Sequence, residues 1–466
     1  MRTSGLNCLS MIQNKFMLMP LLIGGTLIFL SACGSDDNSE AATTQTPKAV
    51  DAVYAQSVEP IFYRDCVSCH VNGGIAPFSL LREENGYTNA VAYKASIKQQ
   101  IANKLMPPFL ASNDGSCQSF QHENALSAID ISDINAWVDS LTVDTVVDVT
   151  EPPPSPRTKA TIDQPDLVVD MPASFSVSPN VSDDYRCFVI DAKLAQDMLL
   201  TGYEVVPGNP GIVHHVILFN LLNPALVPDL EALDNNDPGL GYSCFGDAGF
   251  NSTGFVAGWA PGTGATFYPQ NTGIKVSANS RLIMQVHYNT ANAGGNYDDR
   301  TQIKMQLKPI DDPTMTEASM IFHYVSGFQL TAGNNTVSQT VPLSALAAGF
   351  QQYLSWPSIP TGFKLYGVFP HMHTYGNKLT ASRINSSGNE ECLVNVNNWD
   401  FEWQRYYSYD SQQTSINLDV ATDSLAINCQ YNIPALDASG NPLTVKEGPN
   451  SGDEMCVNFY YVTPIP

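Results

Sequence analysis

Histidine is scarce in this chain, with 8 among 466 residues. Basic residues are scarce too: 22 Lys and Arg stand against 45 Asp and Glu, a formal net charge of −23. Such an excess of acid excludes the electrostatic footprint of a nucleic-acid binder and of a protein lying on anionic lipid. No second long apolar run follows Leu30, so nothing after the N-terminus reads as a membrane span. Sequence repeats are also missing. What remains, 43% hydrophobic and 10% aromatic, is the composition of a folded globular chain. Its length suggests about three domains, and its 32 Gly and 31 Pro suit a loop-rich β protein.

The N-terminus reads as an export signal. Arg2 and Lys15 precede an apolar run from Phe16 to Leu30, the length of a signal core and short for a span. The run ends Leu30-Ser31-Ala32-Cys33-Gly34, which resembles a bacterial lipobox. That resemblance makes residues 1–32 a lipoprotein signal and Cys33 the lipid-carrying thiol. Gly34, rather than Asp, favours the outer membrane, with the protein anchored on its periplasmic side and otherwise free of lipid. An ordinary signal peptide or an uncleaved anchor is the alternative. Loss of the signal, with its two positive charges, takes the net charge from −23 to −25. Residues 33–49, rich in Ser, Asp, Glu, Ala and Thr, form a flexible tether.

Residues 50–148 read as helical. Gln56 to Arg64 leads into a cysteine motif, Asn89 to Leu105 is a second helix, and Ile131, Ile134, Val138 and Leu141 give a third its apolar face. A Pro-rich linker, 149–159, marks a boundary. Beyond it, short alternating runs between Gly, Asn, Asp and Pro turns read as antiparallel strands: Val213–Phe219, Leu282–Tyr288, Ile303–Leu307, Phe363–Phe369 and Val457–Val462. Two β-sandwiches are expected, 160–310 and 311–466, broken at Pro309-Ile310-Asp311-Asp312-Pro313.

Cys66-Val67-Ser68-Cys69-His70 is the attachment signature of a c-type haem. Two thiols add to the haem vinyl groups, and the adjacent His70 sits under the iron. A thioredoxin-like pair or half a zinc site are the alternatives. Met106, in Lys104-Leu105-Met106-Pro107-Pro108, is the candidate second axial ligand. Prolines stop the preceding helix there, and a thioether raises the potential, as electron transfer requires. His122 is the weaker rival.

The other histidines cluster. His371 and His373, two apart at a strand end, share a face and can chelate one ion. His214 and His215 are adjacent, so in a regular strand they point to opposite faces; both can reach one ion only at a bulge or a distorted strand end. His287 lies in Met284-Gln285-Val286-His287-Tyr288. Imidazole suits copper, zinc and iron, and a thioether adds a preference for copper(I).

The order His-His, Gln-Val-His-Tyr, His-x-His and Asp453-Glu454-Met455-Cys456 resembles the copper type II, ascorbate-dependent monooxygenases over about Ala160 to Pro466. The N-terminal haem segment resembles a bacterial branch with a fused cytochrome c. The resemblance implies an all-α cytochrome c-like domain followed by two antiparallel sandwiches, with one copper each, facing across a solvent-filled cleft. It places the electron-transferring copper on His214, His215 and His287. His371, His373 and Met455 would hold the copper that binds dioxygen. The implied reaction hydroxylates an activated C–H bond of a small substrate with two electrons per turnover. Those electrons would come through the haem from a periplasmic donor, ascorbate-like or a cytochrome. A non-enzymatic electron carrier or copper-binding haem protein on the same scaffold is the rival reading. A zinc hydrolase is a poorer one, because Met is a poor zinc ligand and no general base accompanies the clusters.

Six cysteines remain outside the signal, the lipid site and the haem motif, which allows fifteen pairings. By the resemblance, Cys429 pairs with Cys456 and Cys187 with Cys244. Cys117 and Cys392 are left as either a bridge between the haem and second copper domains or two free thiols. Members of the family acting on peptides carry a carboxylate-binding Arg, Asn and Tyr where this chain has Phe369, Val457 and Phe459. These three suggest an apolar pocket or core packing, and disfavour a buried substrate carboxylate. Trp399-Asp400-Phe401-Glu402-Trp403 reads as core and turn packing or as a substrate-facing patch. His323 reads as structural.

Overall fold

A computed structural model describes residues 49–112, 115–121, 126–140, 146–148, 152–351, 358–410, 415–437, 439–448 and 452–465. The export signal, Cys33, most of the tether, His122 and Leu141 lie outside the described residues. Among the described residues no helix is long and apolar enough to cross a membrane.

The segment after the tether is helical, and its ends are zipped together by the short antiparallel pair Ala49–Asp51 and Val146–Asp148. Its helices are Glu59–Asp65, Gly86–Ala92, Lys94–Ala102 and Ala128–Ser140. The single helix expected over 89–105 is two, because Tyr93 leaves helical geometry at φ −100° and ψ 11°. Ser127 starts the last helix with a reciprocal cap. Its hydroxyl accepts from the Asp130 N–H, and Asp130 accepts from the Ser127 N–H. Ile134 and Trp137 of that helix join Tyr54, Phe62 and Leu80 in a small core of their own.

The expected boundary at 148 is not a packing boundary. Phe109, Leu110, Ala111 and Phe120 belong to the core of the C-terminal sandwich. Ser112 N–H donates to Asn395 O at 2.7 Å and Gln121 N–H to Ser408 O at 2.8 Å. A Cys117–Cys392 disulfide closes this attachment. The other two bridges are Cys187–Cys244 and Cys429–Cys456, as the resemblance implied.

All five expected strands are present. In the first sandwich a five-stranded antiparallel sheet runs in the order 242–243, 183–190, 282–289, 213–221, 253–259. In the second, a four-stranded sheet runs 333–342, 424–433, 376–384, 390–396. The two sandwiches are not separate antiparallel units, however. Their opposing layers fuse into one ten-stranded sheet through Thr272–Val276 and Thr316–Tyr324, which pair in parallel. The turn at 310–315 lets the chain leave one sandwich and re-enter the same sheet in the next, so pairing continues where the sequence breaks.

Candidate metal centre

The strands Val213–Leu221 and Leu282–Asn289 are antiparallel neighbours, with His287 opposite His215. Tyr288 then pairs with Val213, so His214 is the extra residue of a β-bulge. That bulge turns two sequence-adjacent imidazoles toward one point. The ligand nitrogens of His214, His215 and His287 all lie within 4.8 Å of one another. His287 Nε2 faces Asp183 Oδ1 at 3.1 Å, and Tyr185 stacks on its ring at 4.0 Å between centroids. With its N–H spent on Asp183, His287 keeps a lone pair on Nδ1, which sits 3.3 Å from His215 Nδ1. A carboxylate behind a ligand histidine fixes its tautomer and orientation.

The second cluster closes the strand Gly362–His371. Met372, between the two histidines, turns into the core, as alternation requires. His371 Nδ1 donates to Gln404 Oε1, and His373 Nδ1 donates to the Asp453 carbonyl at 3.0 Å. Both Nε2 atoms are buried and have no hydrogen-bond partner. Two orphaned nitrogens with fixed tautomers are a fit for a metal ion. Glu454 accepts from the N–H groups of His373, Tyr375 and Met455, at 2.9, 2.6 and 3.2 Å. Tyr431 OH donates to the Met455 carbonyl at 2.8 Å, so the backbone of Met455 is clamped beside His373. Its side chain is half-buried.

Burial pushes His214 and His371 down to about 3, assisted by the neighbouring imidazoles His287 and His373. Burial lowers His215, His287 and His373 as well. All five are therefore neutral near pH 7, the form in which imidazole can bind a metal ion. Burial raises Glu402 and Glu454 to about 7, a direction that a bound cation would reverse.

The space between the clusters is aromatic where the resemblance implied solvent. Phe401 lies 6.1 Å from the His215 ring and 5.9 Å from the His373 ring, and Phe245 lies 5.0 Å from His373. Phe401 belongs to the short turn Phe401–Trp403 of the second sandwich. Glu402 Oε2 comes within 3.1 Å of His214 Nδ1, and the Trp403 ring lies 5.4 Å from the His214 ring. Trp399 Nε1 donates to the His373 carbonyl at 3.1 Å. Phe369 and Val457 are buried, and Phe369, Phe459 and Phe255 pack ring on ring at 4.7 to 5.9 Å. His323 is buried against Gln339, as a structural histidine would be.

Cys66, Cys69, His70 and Met106 line one cavity of about 980 Å³. His214, Trp403 and Arg405 line the same cavity. His70 Nδ1 donates to the Phe78 carbonyl at 3.0 Å, which leaves Nε2 as its free nitrogen. Both cysteines are free thiols, and burial raises both. A thioredoxin-like pair needs the opposite shift. A Cβ at Gly262, on a loop of the first sandwich, would stand 3.3 Å from Cys69 Sγ, so the motif abuts that loop.

Residues 169–294 match the N-terminal domain of the copper type II ascorbate-dependent monooxygenases, and residues 353–465 match the C-terminal domain. The two matches span just over half of the chain and contain every histidine of both clusters. The chain belongs to this family. Dopamine beta-hydroxylase of Rattus norvegicus is 22% identical over 310 residues, which cover 64% of this chain and 46% of that relative. The chain thus matches less than half the length of that relative. Among solved structures, naturally occurring empty particles of cowpea mosaic virus align with 12% identity over 66% of this chain and 93% of theirs, at a TM-score of 0.24. The VP2 subviral particle of infectious bursal disease virus aligns with 7% identity over 66% and 74%, at 0.15. Scores this low carry no argument.

Asp183, Gln404, Glu402 and Trp403 carry no signal as single residues in the sequence. The Trp399–Trp403 run is conspicuous only as a patch, and the sequence does not reveal that it crosses to the first sandwich.

Proposed function

We propose that this copper monooxygenase hydroxylates an activated C–H bond of a small organic substrate, and that a c-type haem on Cys66 and Cys69 delivers the electrons. The balance is R–H, dioxygen, two electrons and two protons giving R–OH and water. Copper supplies one-electron exchange at the three-histidine site and dioxygen activation at the other. His214, His215 and His287 would hold the first ion, and His371, His373 and Met455 the second. Asp183 fixes the His287 tautomer. Gln404 and the Asp453 carbonyl aim His371 and His373, and Glu454 pins Met455 to the same corner. Phe245 and Phe401 exclude water between the centres, which strengthens the electrostatics of both.

The observation that carries the electron route is the shared cavity. The motif Cys66, Cys69, His70 and Met106 occupies one part of its wall, and His214 with Trp403 occupies another. Its volume sits at the upper end of ligand cavities, which run to roughly 1,000 Å³, and suits a macrocycle. His70 and Met106 would be the axial ligands. A periplasmic donor, ascorbate-like or a cytochrome, would reload the haem. Anchoring through Cys33 on the periplasmic side of the outer membrane belongs to the same reading and rests on the N-terminal sequence. The packed rings at Phe369 and Phe459, where peptide-specific relatives bind a carboxylate, favour an uncharged or aromatic substrate over a peptide terminus.

Metal analysis with an optical spectrum of the purified chain tests the composition, with two coppers and one c-type haem expected. Stopped-flow mixing tests the route. Reduced haem should reoxidise through repeated turnovers when copper, dioxygen and substrate are all present. A haem that never reoxidises under those conditions would count against the route.

A further inference from the structure

Glu402 comes from the second sandwich but turns its carboxylate into the histidine cluster of the first. Its Oε2 lies 3.1 Å from His214 Nδ1 and 3.6 Å from His287 Nδ1. Despite that approach, Oε2 and His214 Nδ1 are both buried and neither has a hydrogen-bond partner. They are close but not aligned to share a proton. His287 Nδ1 presents a lone pair, because Nε2 faces Asp183. Lone-pair donors gathered in this way repel one another unless a cation lies among them. Ligands bound tetrahedrally at ~2.0–2.2 Å stand roughly 3.3–3.6 Å apart, close to the 3.1 and 3.6 Å from Glu402 Oε2 to His214 and His287 and the 3.3 Å between His287 and His215.

We propose that Glu402 is a fourth ligand of the copper held by His214, His215 and His287, supplied across the interface by the other sandwich. The inference rests on the copper site proposed above and adds a ligand to it. An anionic oxygen favours copper(II) over copper(I), so Glu402 sets the potential of the electron-transferring ion. It also makes that centre complete only when the two sandwiches are closed on each other.

The test uses the full chain carrying His371→Ala and His373→Ala, so that one copper remains. This parent and its Glu402→Gln derivative are loaded with copper(II). Electron paramagnetic resonance spectra are recorded, and copper(II) and copper(I) are titrated against chelators. The expected result is a changed copper hyperfine pattern with nitrogen couplings retained, and at least tenfold weaker copper(II) binding with copper(I) binding unchanged. That change corresponds to a potential about 59 mV higher for each tenfold. Glu402→Asp, which keeps the carboxylate, should fall between the two. Glutamine matches glutamate in shape, and a circular dichroism spectrum of each chain checks its fold. Identical spectra and affinities in parent and Glu402→Gln would overturn the proposal. A parent that binds no copper through nitrogen would overturn the copper site itself, and Glu402 with it.

Discussion

The Trp403 indole lies 5.4 Å from the His214 imidazole, centroid to centroid, and both line the cavity that holds the Cys66–His70 motif. An aromatic ring that lines this cavity and lies against His214 is a candidate stepping point for an electron passing from the proposed haem to the proposed copper site. Replacing Trp403 with Leu should slow haem-to-copper transfer in stopped-flow experiments. Haem attachment and haem reduction by an external reductant should stay unchanged. Equal transfer rates in the two proteins would remove Trp403 from the route.

The Asp183 carboxylate, 3.1 Å from His287 Nε2, decides which nitrogen of His287 carries the proton. Losing such a partner typically costs 10–100-fold in metal affinity. Asp183→Asn should therefore weaken copper at the three-histidine site by about that factor and leave the His371/His373 site alone. Competition titration with a chromogenic chelator, site by site, checks this. Equal losses at both sites would count against the assignment.

Much of this site is legible in the sequence because histidine is so rare. The pair His214-His215 carries its own structural demand, and the bulge that meets it is present between His287 and Tyr288. The strand runs are equally legible, since alternation survives in each. The parallel pair joining the sandwiches is not, because Thr272–Val276 and Thr316–Tyr324 give no sequence hint of the direction in which they will pair. Nor is the placement of 109–112 and 115–121 against the second core. Phe109 and Phe120 look like any apolar residues of the helical segment until their neighbours are known. Glu402 and Gln404 act through distance alone, and no periodicity marks a residue that reaches across an interface.

Met455 stands beside His373 through backbone bonds, with its carbonyl held by Tyr431 and its N–H by Glu454. Met455→Ile keeps the bulk and removes the thioether. Oxygen-dependent turnover should vanish, while haem reduction and copper at the three-histidine site persist. Retained turnover would take Met455 out of its assigned role.

The metal-free chain should be acid-labile. Five histidines are buried neutral, and two of them are held down to about 3. In the unfolded chain the same groups titrate near 6.5. Below that value the unfolded state binds more protons at these histidines than the folded state, so their contribution is present above about 6.5 and falls as pH drops toward 3. Glu402 and Glu454, raised by burial to about 7, oppose it between about 7 and 4.5 and leave the loss steepest below that. Each tenfold difference in proton affinity between the two states is worth about 1.4 kcal/mol, so several histidines together can unfold the apoprotein. Urea midpoints of the metal-free chain measured between pH 7 and pH 4 check this. Replacing His214 and His371 with Gln should flatten the profile.

Cys117–Cys392 spans 275 residues and ties the segment following the Met106 loop to the second sandwich. Long closures restrict the unfolded chain most, and removal of a native bridge typically costs about 2–5 kcal/mol. The double replacement with Ser should lower stability within that range. The loss should not be uniform, because the bridge stands beside the contacts Ala111 to Val396 and Phe120 to Tyr409. Amide hydrogen exchange should quicken first at 109–112 and 115–121, while the five-stranded sheet carrying His214, His215 and His287 keeps its protection. If the haem relies on this attachment to face His214, the same variant should also transfer electrons to copper more slowly while its haem spectrum stays intact. A stability loss with unchanged transfer would mean that the bridge does not position the haem relative to His214.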